Sequence, residues 1–232
     1  MGYGFCKELM KSLYIYHHLG LGDHIVCNGL IREIIKYGEY FRYNILTKPR
    51  NKESVSFMYR DLENVCTVEI ENDCYSSEIL KNVCYQKIGF SPPNHDSSWD
   101  QLFYEQCHIP FKYRWDSFYI RRDPDREQSL SIKLNAEKES YILIHNKASD
   151  NIDGIDYSYI NNTIKHIYVE NLTNNMFDYM GLIENSSEIH CVSSAFQVLI
   201  DSLDLKIPLF FHNTKHIRPN SDHKLRLDWI RV

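Results

Sequence analysis

With 232 residues the chain has room for one large domain or two of roughly 110 residues each. A hydrophobic share of 43% is enough for a core, and 25% charged residues is ordinary for a soluble protein. The net charge of −5 argues against a general nucleic-acid binder, which carries a basic excess, while leaving room for a local basic pocket. The seven cysteines are odd in number, scattered and free of any C-x-x-C pair, so reduced thiols in a cytoplasmic protein are expected. Cys107-His108 and His190-Cys191 lack the second half of a zinc motif, and no metal is expected. No apolar run has the length of a leader peptide or a transmembrane segment.

In chain order, residues 13–16 read as an apolar, aromatic-rich strand that runs into a predicted glycine turn at Gly20 and Gly22. Asp23 follows. Val26, Leu30 and Ile34 then lie on one stripe with Cys27, Ile31 and Ile35 beside it, which predicts a helix. Residues 42–46 predict a second strand, ended by Lys48-Pro49; 52–62 a helix; 65–70 an alternating strand; 76–83 a short helix. Ser91-Pro92-Pro93-Asn94 is a loop signal, and 99–108 looks helical. This β-α-β-α-β order is that of a parallel, doubly wound sheet.

The charged run from Arg121 to Glu127, broken by Pro124, marks a boundary, with one helix expected over 127–134. The pattern then restarts: strand 141–145, polar loop 146–154, strand 165–169, helix 176–184, strand 188–192, a Ser193-Ser194 cap, helix 195–203 and strand 208–211. The tail at 225–232 reads as a short strand or a docking helix. The expected class is α/β, with two Rossmann-like α/β/α domains, 1–125 and 126–232, facing across a cleft. Ligands of such folds bind outside the carboxyl ends of the strands.

Three constellations could carry chemistry. In the first, Asp23 and His24 are expected to look into the cleft from the start of a helix. Asp23 suits either a helix cap or a general base that takes a proton from a hydroxyl. His24 could serve in its place. Of His17 and His18 at the strand end, alternation sends one to the cleft floor and the other to the core. Gly20-x-Gly22 does not extend to a dinucleotide fingerprint, since Ile25 stands where the third glycine belongs.

The second constellation runs from His145 through Lys147 and Ser149. A lysine just past a strand end offers a compact positive charge on a flexible stem, which suits a diphosphate, and a serine adds a hydroxyl donor. In the third, Ser193 and Ser194 either cap the next helix or gather hydroxyl and amide donors for an anion. Glu170, at the end of a strand, is a candidate for ribose hydroxyls.

The segment HLGLGDHIVCNGLIREI resembles the N-terminal motif of GT-B-fold glycosyltransferases related to bacterial heptosyltransferases. LIHNKAS resembles the start of their second domain, and LIENSSEIHCVSSAFQVLIDSLDLKIPLFF their donor-site region. The three blocks fall in the family's order. The usual Asp-Ser-Gly of the donor turn stands here as Val192-Ser193-Ser194. The resemblance implies a compact GT-B-like fold and an inverting, metal-independent hexosyl- or pentosyltransferase. Its partners would be a nucleotide-sugar donor and a carbohydrate acceptor, with no cofactor. Asp23 maps to the family's proposed base, Lys147 to its second-domain lysine, and Ser193 and Ser194 to the donor-side helix start. Two other readings stay open: a non-catalytic nucleotide- or sugar-binding module, and a GT-A enzyme using Asp123 and Asp125 with a metal.

Overall fold

The computed structural model describes residues 12–72, 75–90, 97–148, 153–212 and 224–232. The chain divides into two compact units, Met1–Arg121 and Arg122–Val232. Among the described residues no helix is long and apolar enough to cross a membrane.

The first unit runs β1 (Ser12–Tyr16), α1 (Leu21–Tyr37), β2 (Arg42–Thr47), α2 (Lys52–Met58), β3 (Val65–Glu69), α3 (Ser76–Ile79), β4 (Cys84–Lys87), α4 (Trp99–Gln106) and α5 (Tyr113–Asp116). Its sheet has the order β3-β2-β1-β4, with every pair parallel. β2 is buried on both faces from Tyr43 to Thr47, as in a strand covered on both sides. Strand β4 escapes the sequence reading because it is a short edge whose Cys84, Tyr85 and Lys87 stay exposed, which erases the alternation. Helix α2 stops at Met58, short of the expected residue 62, and the turn that follows delivers Asp61 to Arg32 at 2.8 Å. Residues 118–120 are unpaired in any strand; the Tyr119 backbone exchanges hydrogen bonds with the Asn28 side chain.

Helix α1 is buried on nearly every side over its first three turns, which explains why two adjacent stripes of its sequence are apolar. Helix α4 docks on it through the Tyr104 hydroxyl. That group donates to the Val26 carbonyl (2.8 Å) and accepts from the Leu30 amide (3.1 Å), so it sits within an i, i+4 pair of the helix ladder. Helix α5 approaches so closely that a Cβ on Gly29 would lie 1.9 Å from the Tyr113 carbonyl oxygen. Gly29→Ala is therefore expected to destabilise the unit by about 1–3 kcal/mol despite alanine's better helix propensity. A lower urea midpoint with unchanged slope is the readout.

The second unit runs α6 (Pro124–Lys133), β5 (Tyr141–His145), β6 (Lys165–Tyr168), α7 (Met180–Asn185), β7 (Glu188–Val192), α8 (Ala195–Asp201), β8 (Leu209–His212) and β9 (Trp229–Arg231). The sheet order is β6-β5-β7-β8-β9, again with parallel pairs. The tail is thus a strand. It is pinned by the buried Asp201 carboxylate, which accepts from the amides of Arg226 and Leu227 and from Trp229 Nε1 at 3.0–3.1 Å. Register puts Ile142 beside Glu188, Ile144 beside His190 and His190 beside Phe210, so these side chains share one face of the sheet. Among the described residues the connection from β5 to β6 contains no α-helix. Ile155, Ile160 and Ile164 of the connecting segment pack on Ile142 and Ile144 instead.

Candidate functional site

In each unit the strand order reverses beside its first strand. β2 lies on one flank of β1 and β4 on the other; β6 lies on one flank of β5 and β7 on the other. In doubly wound sheets ligands bind at such a reversal, outside the carboxyl ends of the strands, which here means β1/β4 and β5/β7.

In the first unit Gly20 is the N-cap residue of α1, and Asp23 lies in its first turn. The Asp23 carboxylate folds back onto the helix start, where it accepts from the backbone N–H of Gly20 and from its own. This is the carboxylate half of a capping box. A Cβ at position 20 would stand 2.5 Å from Asp23 Oδ2, so a side chain there would push the carboxylate off the helix start. Its φ of −72° demands nothing special. Gly22 is already helical, so the predicted glycine turn is the start of the helix itself.

Burial raises the Asp23 pKa to about 6, against the lowering pull of His18, the backbone donors and Lys48. An ionised carboxylate whose affinity for a proton lies near the working pH is fit to accept one. His18 is exposed. Its Nε2 donates to the Gly89 carbonyl at 2.7 Å, which leaves Nδ1 open. The ring stacks on Phe90 at 4.6 Å, and the Lys87 ammonium lies 4.3 Å from the same Phe90 ring. Sequence reasoning passes over Lys48 and Lys87. Their only signal is a lysine at the carboxyl end of a strand.

His24 corrects the expectation placed on it. It is fully buried and packs edge-on against His17 at 4.3 Å, with neither ring nitrogen hydrogen-bonded. Burial drives its pKa well down. One residue past Asp23 is a turn of about 100° around the helix, which carries the ring into the core. His17 is the core member of the strand-end pair: its Nδ1 donates to the His18 carbonyl, and burial lowers its pKa to about 4.

In the second unit His145 pairs in register with Cys191, so the ends of β5 and β7 lie side by side. The His145 ring stacks on Phe196 at 5.0 Å, and its Nδ1 lies 3.2 Å from Ser194 Oγ. Burial lowers the His145 pKa to about 4, so the ring is neutral at ordinary pH. Ser194 also caps α8, accepting from the Gln197 amide. Ser193 is half-buried in the same turn.

Lys147 is exposed two residues past β5 and forms an isolated backbone bridge with Asp153. Its charge contributes to the lowered Asp153 pKa, after the hydrogen bonds from Tyr157, Ile155 and Asn146. Glu170 is exposed just past β6, its backbone held by the Tyr179 hydroxyl, which donates to the Glu170 carbonyl at 2.6 Å. Ser149 lies outside the described residues.

The structure thus brings His145, Ser193 and Ser194 together at the ends of β5 and β7, with Lys147 on the loop leaving β5. In the other unit it groups Gly20, Gly22, His18 and Asp23. Among the described residues no cluster of His, Cys, Asp and Glu could hold a metal ion. Asp123 is the N-cap of α6, accepting from the Arg126 amide, which accounts for it without a metal. A cavity of about 350 Å³ beside α6 is lined by Arg126, Leu130, Leu172, Thr173 and Asp178. Asp125 also lines it, but none of the residues assigned to the donor or acceptor side does, and its Arg126–Asp178 ion pair bridges α6 to the turn before α7.

No protein-family model and no curated protein matches the sequence. Solved structures do match. A glycosyl transferase family 9 structure from Veillonella parvula superposes over 97% of this chain and 87% of its own length, with a TM-score of 0.54 and 9% identity. The ADP-heptose LPS heptosyltransferase II of E. coli superposes over 96% and 90%, with a TM-score of 0.52 and 11% identity. At such identities the likeness is one of fold, and it meets the resemblance carried by the three sequence blocks. The chain has the α/β, parallel-sheet fold of the heptosyltransferase-like glycosyltransferases.

Proposed function

We propose that the protein is an inverting, metal-independent glycosyltransferase that moves a sugar from a nucleotide-sugar to a hydroxyl of a carbohydrate acceptor. The observation that carries this reading is the Asp23 carboxylate: at the helix start that follows β1, on a glycosyltransferase fold, with its pKa raised to about 6. In this reading the two units work as opposing halves across a cleft, the first holding the acceptor and the second the donor.

Asp23 takes the proton of the acceptor hydroxyl as that oxygen bonds to the anomeric carbon from the side opposite the leaving group. The bond from the anomeric carbon to the diphosphate oxygen breaks, and the nucleoside diphosphate leaves with the electron pair. Lys147 supplies the positive charge that this leaving group needs, and the Ser193 and Ser194 hydroxyls donate to its oxygens. His145, neutral and held against Phe196, orients Ser194. Glu170 accepts from ribose hydroxyls, and His18 contacts the acceptor through its open Nδ1.

A thermal-shift screen against UDP-, GDP-, ADP-, CMP- and TDP-sugars tests the reading. The true donor at a hundredfold excess over its Kd adds about 2.7 kcal/mol of apparent stability, and Lys147→Ala removes most of the shift. A donor that binds but is never turned over with any acceptor favours the non-catalytic module. No shift with any nucleotide-sugar overturns both.

A further inference from the structure

The polar groups on the His190 face of the second sheet form a chain whose direction is determined. The amide of Asp156 donates to His212 Nδ1 (3.0 Å). His212 Nε2 lies 2.8 Å from His190 Nδ1, and His190 Nε2 lies 2.6 Å from Glu188 Oε1. A backbone N–H can only donate, so His212 Nδ1 must accept. A neutral His212 then carries its proton on Nε2 and gives it to His190 Nδ1. His190 in turn carries its proton on Nε2 and gives it to the Glu188 carboxylate. Every donor meets an acceptor with both rings neutral, and both rings are buried. The His190 ring is further fixed by parallel stacking on Phe210 at 4.5 Å.

The chain ends on the segment that lies over this face. The Asp156 carboxylate accepts from the Ser158 amide and hydroxyl, and the Tyr157 hydroxyl donates to Asp153 at 2.7 Å. Asn146 also donates to Asp153, whose backbone bridges Lys147. We infer that Glu188, His190 and His212 are positioning residues: a one-way relay that holds the 153–158 segment and, through Asp153, sets where Lys147 sits. The link to Lys147 rests on the donor-site reading above; the relay itself does not.

An added proton breaks the order. On His212 it would face the Asp156 N–H, donor against donor. On His190 it would face the His212 Nε2 proton, and the tautomer shift that relieves this again sets a proton against Asp156. The charged and titratable groups around the pair are Glu188 on β7, His166 on β6, and Asp153 and Asp156 on the covering segment. Burial outweighs the carboxylates, and the His212 pKa falls to about 4. The relay is therefore intact at neutral pH and fails in acid.

The full chain with ¹⁵N-labelled histidine rings tests this. At pH 7 both rings show the Nε2–H tautomer. As pH falls through about 4 His212 protonates, and protection of the Asp156 amide drops about tenfold in the same step. In His212→Gln, which cannot take the proton, that amide no longer follows pH. An Nδ1–H tautomer on either ring at pH 7, or an Asp156 amide indifferent to protonation of His212, overturns the relay. Inorganic pyrophosphate reads the link to Lys147: His212→Phe weakens its binding about tenfold at pH 7, and His212→Gln restores most of the loss. If Lys147→Ala weakens binding and His212→Phe does not, the positioning role fails. If Lys147→Ala changes nothing, the donor reading fails, while tautomer and exchange still decide the relay.

Discussion

Asp23→Asn is expected to lower kcat by about 10²–10⁴-fold, the contribution of a positioned general base, while leaving the fold at least as stable as the wild type. The asparagine oxygen still accepts the backbone N–H groups of the helix start, so the cap survives. What is lost is the proton acceptor. The stability half follows from linkage. A carboxyl whose folded-state pKa is about 6 rather than 3.8 binds its proton more tightly in the native state. Between these two values the native state holds more protons than the unfolded chain, so stability falls as pH rises through that window and the penalty persists above it. The penalty is on the order of 2–3 kcal/mol, and the uncharged variant avoids it.

The wild-type rate should rise about tenfold per pH unit below about 6 and level off above it, with the ascending limb absent in the variant. Urea denaturation at pH 7 and steady-state kinetics with the donor found by screening check both halves. A variant that unfolds more easily and keeps its rate would mean that Asp23 is a cap and nothing more.

Arg114→Ala is expected to be the most damaging single change to the first unit, costing about 3–5 kcal/mol. Arg114 and its partner Asp100 are both wholly buried and form an ion pair that joins α5 to α4. Truncating the arginine removes the guanidinium from a carboxylate that is itself wholly buried. A folded domain has only about 5–15 kcal/mol in total, so the variant should show a greatly lowered melting temperature or fail to accumulate. The double replacement Arg114→Met with Asp100→Leu should recover much of the loss, because a buried pair is little better than apolar groups of similar size. A single variant as stable as wild type would mean that water or local rearrangement reaches Asp100.

Strands β5 and β7 fall where the sequence puts them to the residue, because β5 is a short apolar run, β7 alternates, and turn residues close both. Helix α1 is legible for the same reason, and so is its capping acid. Strand β4, a short exposed edge, leaves no alternation to read, and α5 is a single turn whose role comes from Arg114 and from the Tyr113 carbonyl against Gly29. His24 looks like a site residue beside Asp23 in one dimension and lies in the core in three. The Glu188, His190 and His212 chain is invisible in sequence, since its strands come side by side only in the sheet.

From sequence alone came the alternation of strands and helices, the acid at the start of the first helix, the lysine past β5 and the serine cap of α8. All of these depend on spacing within a few residues. Only the tertiary structure decided that burial raises the Asp23 pKa, that His24 is core, that His145 meets Ser194, and that a backbone N–H orients two histidines. Desolvation and hydrogen-bond direction depend on which distant segments close over a group, and chain spacing carries no record of that.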